Sequence, residues 1–210
     1  MLVSPPAGLE LTSDVSVNVV SSIVRNASFE SNEAPAGIGA GPIISWQGGT
    51  GLNRGSGPFH DNGTVPDRLQ VAVIQGTQAL SQEISGLVSG ESYWLQFHYN
   101  ARNCCGGTIG LGVRLGGEDL WKTEEVFPAV EEGLEAYYFQ NVPFVASGSS
   151  GLLEFVTTAD GDATILLDAV NVIPRGEDEV VIVNPSFEAS GSPVGVGYVQ
   201  PSQLAGWEFS

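Results

Sequence analysis

Basic side chains are scarce in this chain of 210 residues: seven Lys plus Arg stand against 24 Asp plus Glu, for a net charge of −17. Phosphate backbones and anionic membrane surfaces repel such a protein, so nucleic acid is a poor partner, and neutral ligands or cations suit it better. Nothing approaches the 18 or more consecutive apolar residues of a membrane-spanning helix, so membrane insertion is not expected. No basic start followed by a short apolar stretch comes after Met1, so these residues are not expected to act as a secretory signal, which says little about the longer protein. Amphipathic helical periodicity is almost absent. Cysteine is limited to the adjacent pair Cys104 and Cys105, which leaves zinc, with its four ligands, no second pair. A serine in a GxSxG setting is missing, and no carboxylate pair is placed for glycoside hydrolysis. His60 and Asp61 are therefore not read as part of a hydrolase, and an enzyme is not expected.

What is present is glycine and proline, 28 and 12 residues, with 42% hydrophobic residues, the composition of a loop-rich globular chain. Short alternating or apolar runs bounded by Gly, Pro, Asn and Ser predict nine strands. These are Ser22 to Arg25, Ile43 to Gln47, Leu69 to Gln75, Ala79 to Ile84, Tyr93 to Asn100, Thr108 to Leu115, Tyr137 to Val145, Leu152 to Thr157 and Thr164 to Ile173. The expectation is an all-β, antiparallel β-sandwich, most simply a jelly roll. In "EEVFPAVEEGLEAYYF", Pro128 and Gly133 break any helix, and the stretch reads as a loop leading into a strand.

The chain also repeats itself. Asn26, Ser28, Phe29, Glu30, Pro35, Gly37 and Gly39 recur at Asn184, Ser186, Phe187, Glu188, Pro193, Gly195 and Gly197, a constant offset of 158, and a Trp follows each copy. That period matches a whole domain rather than a solenoid unit. One complete module is expected at 20–175, a linker or first strand at 176–183, and an incomplete second copy at 184–210. The tail at 1–19 is read as the last strand of a preceding module, because "SDVSVNV" is similar to "DAVNVIP" at Asp168 to Pro174. The chain is accordingly expected to be a piece of a longer protein with neighbouring modules of its own kind. Pro185 after Asn184 makes the sequon at Asn26 incidental and marks Asn26 as a hydrogen-bonding turn residue.

Three stretches carry candidate ligand contacts. Strand alternation in "YWLQFHYNAR" puts Tyr93, Leu95, Phe97 and Tyr99 on a core face and Trp94, Gln96, His98 and Asn100 on the other, with Arg102 just beyond. Rings beside amides suit a neutral sugar, which offers hydroxyls and an apolar C–H face; the alternative is a face that simply meets water. Next comes "NCCGG". A bond between Cys104 and Cys105 would be strained, because neighbouring Cα atoms lie about 3.8 Å apart. Such a bond would make a rigid turn able to floor a pocket; two thiols, or pairing with another chain, stay open. The third stretch, "GPFHDNGTVPDR", gathers His60, Asp61, Asn62, Asp67 and Arg68 in one loop, although Asn62-Gly63 is also a plain turn signal.

The opening "NxSFE" before a Trp, the middle "SQEISGLVSGESYWLQFHYNAR" and the closing "GDATILLDAVNV" resemble galactose-binding-like jelly rolls, including cenC-type carbohydrate-binding modules, over roughly residues 20 to 175. The resemblance implies a non-catalytic module that binds a neutral polysaccharide or glycan, often in tandem, in a secreted or cell-surface protein. It also implies a structural Ca2+ held by Glu30 and Asp168 with backbone carbonyls, a donor set that fits a six- to eight-oxygen ion. Ala169 departs from the second Asp the family often carries, and Glu30 has the alternative of capping a turn or pairing with Arg25. The competing reading is a structural or adhesive spacer bead in a repetitive extracellular protein.

Overall fold

Alternation in the run that begins at Ser92 becomes a ten-residue strand, β6 (Ser92–Ala101), with Tyr93, Leu95 and Phe97 in the core and Trp94, Gln96 and His98 half-buried on the other side. In chain order its companions are β1 (Ile38–Ala40), β2 (Gln47–Gly48), β3 (Gly51–Asn53), β4 (Val71–Gln75) and β5 (Ala79–Ser85) before it. After it come β7 (Thr108–Leu115), β8 (Glu118–Thr123), β9 (Tyr138–Val145), β10 (Ser150–Asp160) and β11 (Thr164–Pro174). The computed structural model describes residues 23–32, 38–54, 64–130 and 137–176. The repeat copy at 184–210, the tail at 1–19 and the residues His60, Asp61 and Asn62 lie outside the described residues.

The strands form two sheets, a six-stranded one in the order β1-β3-β4-β11-β6-β9 and a five-stranded one in the order β2-β5-β10-β7-β8. All pairings are antiparallel. From β4 onward the chain crosses between sheets so that β4, β11, β6 and β9 face β5, β10, β7 and β8, which is the two-Greek-key order of a jelly roll. Between the sheets lies one core, in which Phe97 and Phe155 meet edge to face at 5.2 Å and Phe29 and Trp46 pack at 5.3 Å. The opening motif is thus scaffold: Phe29 is fully buried, and Asn26 ties the turn together through Ser31 N–H, Ile44 C=O and Trp46 Nε1.

Three local expectations change. Val24 is buried as a strand residue would be, but residues 23–25 bend, and the Gln82 amide bonds both N–H and C=O of Arg25 in place of a strand neighbour. Ile43 and Trp46 enter the core from a turn closed by Trp46 N–H on Ile43 C=O, so only Gln47 of that run joins a sheet. Strands β1, β3 and β8 are missing from the sequence reading; β8 follows β7 through Gly116 and Gly117, both at positive φ, as a two-residue hairpin demands.

Candidate functional site

A bulge decides which side chains share the outer face of the six-stranded sheet. Between Asp168 and Asn171 the register of β11 slips by one residue against β6, so that Asp168 lies opposite His98 and Asn171 opposite Gln96. The extra residue is taken up at Ala169, whose φ of 49° is left-handed, while Val170 turns into the core. Two residues an odd number of positions apart therefore point the same way, which plain alternation forbids. On the opposite flank, β9 sets Phe139 beside His98, Asn141 beside Gln96 and Pro143 beside Trp94.

The result is three rows across β9, β6 and β11. The middle row is all amide: Asn141, Gln96, Asn171. On one side His98 packs on Phe139, ring centroids 5.0 Å apart, and Phe139 is 42% exposed. On the other side stand Pro143, Trp94 and Ile173, with the Arg175 guanidinium 4.6 Å from the Trp94 ring centre. Two buried polar atoms on this face, His98 Nδ1 and Asn141 Oδ1, have no hydrogen-bond partner among the described residues. Burial lowers the His98 imidazole to about pKa 4, with the Asp67 carboxylate opposing, so it is neutral at pH 7. The other half of the same sheet face is closed by Val71, Val73, Leu166 and Tyr137, on which Val65 packs.

The strip expected from sequence is cut short by Asn100. That residue is on the outward side of β6, but it is fully buried, and its amide bonds both N–H and C=O of Ala129 at 2.9 Å. Its polarity is spent on holding the loop after β8, so Asn100 is corrected from a ligand contact to a tether. Beyond it, Arg102, Cys104 and Cys105 form a separate region at the end of the sandwich. Cys104 and Cys105 are joined by a disulfide across a Cα separation of 3.8 Å, and the turn they make walls a cavity of about 300 Å³.

Asp168 continues the Phe139–His98 row onto β11, fully buried, and Glu30 lies near enough for its charge to act on it. The Asp168 side chain is wholly buried and accepts bonds from the Asp67 and Ala169 amides, and Glu30 Oε1 accepts from those of Leu69 and Gln70. Burial pushes the Asp168 carboxyl well above the usual carboxylate range; the two amides pull it down, and the charges of Asp67 and Glu30 push it further up. Among the described residues no basic group acts on this carboxylate, a setting that suits a bound cation. The Phe29 and Asn32 carbonyls both receive the Gln70 side-chain amide at 2.6 Å, so they converge on one point. Among the described residues, no three His, Cys, Asp or Glu side chains group as a metal site. Further oxygens for calcium would therefore be carbonyls.

Asn141, Asn171 and Phe139 escaped the sequence reading, because cross-strand register and the bulge, not local pattern, bring them to the strip. Neither a protein-family model nor a curated protein matches the chain. Solved structures with similar folds include TmCBM61 in complex with β-1,4-galactotriose, at 15% identity over 74% of this chain and 100% of that one, with a TM-score of 0.43. The CBM22-1 xylan-binding domain of Paenibacillus barcinonensis Xyn10C shares 14% identity over 70% of this chain and 91% of that one, with a TM-score of 0.43. The insecticidal delta-endotoxin Cry8Ea1 of Bacillus thuringiensis shares 15% identity over 50% of this chain, with a TM-score of 0.37, and the match spans 20% of the toxin's length. The sandwich itself is established by its own strand order.

Proposed function

We propose that this sandwich is a non-catalytic carbohydrate-binding module that lays a neutral glycan across β9, β6 and β11. The observation that carries the reading is the row of three amides, Asn141, Gln96 and Asn171, set side by side between Phe139 and His98 on one flank and Pro143 and Trp94 on the other. Each amide both donates and accepts, which is what successive sugar hydroxyls require. Strands about 4.8 Å apart space these groups regularly. Phe139 offers the exposed apolar platform, while the Trp94 ring carries the Arg175 guanidinium. A net charge of −17 favours a neutral polymer over an acidic one. The disulfide at Cys104–Cys105 fits an oxidising, extracellular setting, and tandem copies of a weak site would gain avidity there.

Binding of the 210-residue chain to a panel of neutral polysaccharides, read by affinity electrophoresis, tests the reading. Retention by at least one polymer is expected, with Gln96→Ala weakening it about tenfold, the worth of about 1.4 kcal/mol. No retention by any polymer, or equal retention by Gln96→Ala, would overturn it. The spacer reading has one observation in its favour: the Arg175 guanidinium, just past the end of β11, covers the Trp94 ring on which a sugar would otherwise stack. It expects no retention at all.

Glu30 and Asp168 are proposed to hold a structural calcium ion, which would supply the missing counter-charge. The support is the buried Asp168 carboxylate with Glu30 and Asp67 as like-charged neighbours.

A further inference from the structure

At the Trp94 end of the outer sheet face stands a cation that the amide row does not use. Arg175 follows β11 directly; its N–H donates to the Ser92 carbonyl at 2.8 Å, and its guanidinium lies over the Trp94 ring, 4.6 Å from the centre. Backbone and ring together orient a residue that is otherwise exposed. Acidic residues outnumber basic ones by 24 to seven in this chain, and Arg102, Arg114 and Lys122 are each held by a carboxylate, of Asp162, Asp119 and Glu124. Among the described residues, the Arg175 guanidinium has no ion pair and no hydrogen bond.

Charge on this face is segregated. Asp168, with Glu30 and Asp67 acting on it, belongs to the His98 end. Trp94 is four residues from His98 along β6, about 13 Å at 3.3 Å per residue, which exceeds the Debye length of about 8 Å at physiological salt. An anion at the Trp94 end is therefore well separated from the acidic end. Apolar side chains border the Trp94 ring: Pro143 is exposed, Val145 is 63% exposed, and Ile173 is half-buried. A charge-assisted bond beside such walls is stronger than one in open water.

The guanidinium presents a planar fork of N–H donors and no acceptor, a shape that a carboxylate matches with both oxygens. A single hydroxyl fills only part of it. Resting on the glycan reading above, we propose that Arg175 is a specificity-determining residue for a carboxylate, so that the preferred ligand is a neutral glycan backbone carrying uronic-acid substituents. Neutral units take the amide row, and a uronate at the Trp94 end sets its carboxylate on Arg175 and its C–H face on Pro143 and Val145. The net charge of −17 still opposes a polymer that is acidic at every unit, whereas scattered uronates on a neutral backbone add little repulsion.

The test compares glucuronoxylan and a glucuronate-bearing arabinogalactan with the same polymers after reduction of their carboxyl groups to alcohols, which leaves backbone and linkages unchanged. Affinity electrophoresis of the 210-residue chain is expected to show at least one native polymer bound about tenfold more tightly than its reduced form at low salt. In about 1 M salt, where the Debye length is about 3 Å, that preference should shrink. Arg175→Gln should abolish the preference and still bind the reduced form, since the residue is exposed and outside the core. Arg175→Lys, which keeps the charge and loses the fork, should retain only part of it. Gln96→Ala should weaken native and reduced forms alike, leaving the preference intact. If the reduced polymers are retained but neither native form is preferred, or if the preference persists in Arg175→Gln, Arg175 does not read a carboxylate and only this inference falls. No retention of either form of either polymer would overturn the inference together with the glycan reading beneath it.

Discussion

His98 illustrates how burial sets the behaviour of a single residue on the binding face. Its imidazole is held at about pKa 4, against 6.5 for a free histidine, chiefly because the charged form is desolvated. The sign follows directly. Above pH 6.5 both folded and unfolded chains carry a neutral imidazole and His98 adds no pH dependence. Between 6.5 and 4 the unfolded chain takes up a proton that the folded chain refuses, so stability falls as pH falls, by up to about 3 kcal/mol. Urea unfolding midpoints measured from pH 7.5 to 4.5 should decline more steeply for the wild type than for His98→Gln. Parallel curves would show that the imidazole is not desolvated as described. Because the ring stays neutral to about pH 4, glycan retention on the face is expected to be flat over the same interval.

At the scale of elements, the Asn100 side chain ties the loop after β8 to the outer sheet face at Ala129. Asn100→Ala removes both bonds to Ala129, leaving the N–H and C=O of that residue without their buried partner. The expected loss is roughly 2–4 kcal/mol of stability, with faster hydrogen exchange at the Ala129 amide. Unchanged protection of that amide would contradict the tether. The sequence pattern itself suggested a more exposed role for Asn100, because alternation tells which face a residue takes but not what covers that face. The same limit divides the rest. Strands β4, β5, β6, β7, β9, β10 and β11 were legible from apolar periodicity, each having a face in the core. By contrast β8 is an edge strand whose charged "EDLWKT" hides a partly buried Leu120 and Trp121, and its strongest signal was the Gly116-Gly117 turn before it. Trp94, Gln96 and His98 were readable as one strip. Asn141 and Asn171 were not, because register between distant strands, and a bulge at Ala169, cannot be counted along one strand.

The whole molecule adds a charge problem that the two local scales do not contain. With 24 acidic and seven basic residues, compaction concentrates negative charge. Asp168 is fully buried within it, with Glu30 and Asp67 raising its carboxyl further. Two backbone amides relieve it only in part. A divalent cation shared by Glu30 and Asp168 would relieve it and pin the opening motif near residue 30 to the closing strand β11, two ends of the described sandwich. Such an ion binds the folded chain and not the unfolded one, so at about a hundred times its Kd it adds about 2.7 kcal/mol of stability. For a chain of this size that is a rise of roughly 5–10 °C in Tm. Thermal unfolding at pH 7 in excess chelator and then in millimolar calcium should show that rise in the wild type. Asp168→Asn should abolish it, while Gln96→Ala, on the glycan face, should leave it intact. A Tm indifferent to calcium and chelator alike would mean that Asp168 keeps its proton in the folded chain, and that the two amides together with that proton are all the neutralisation the site receives.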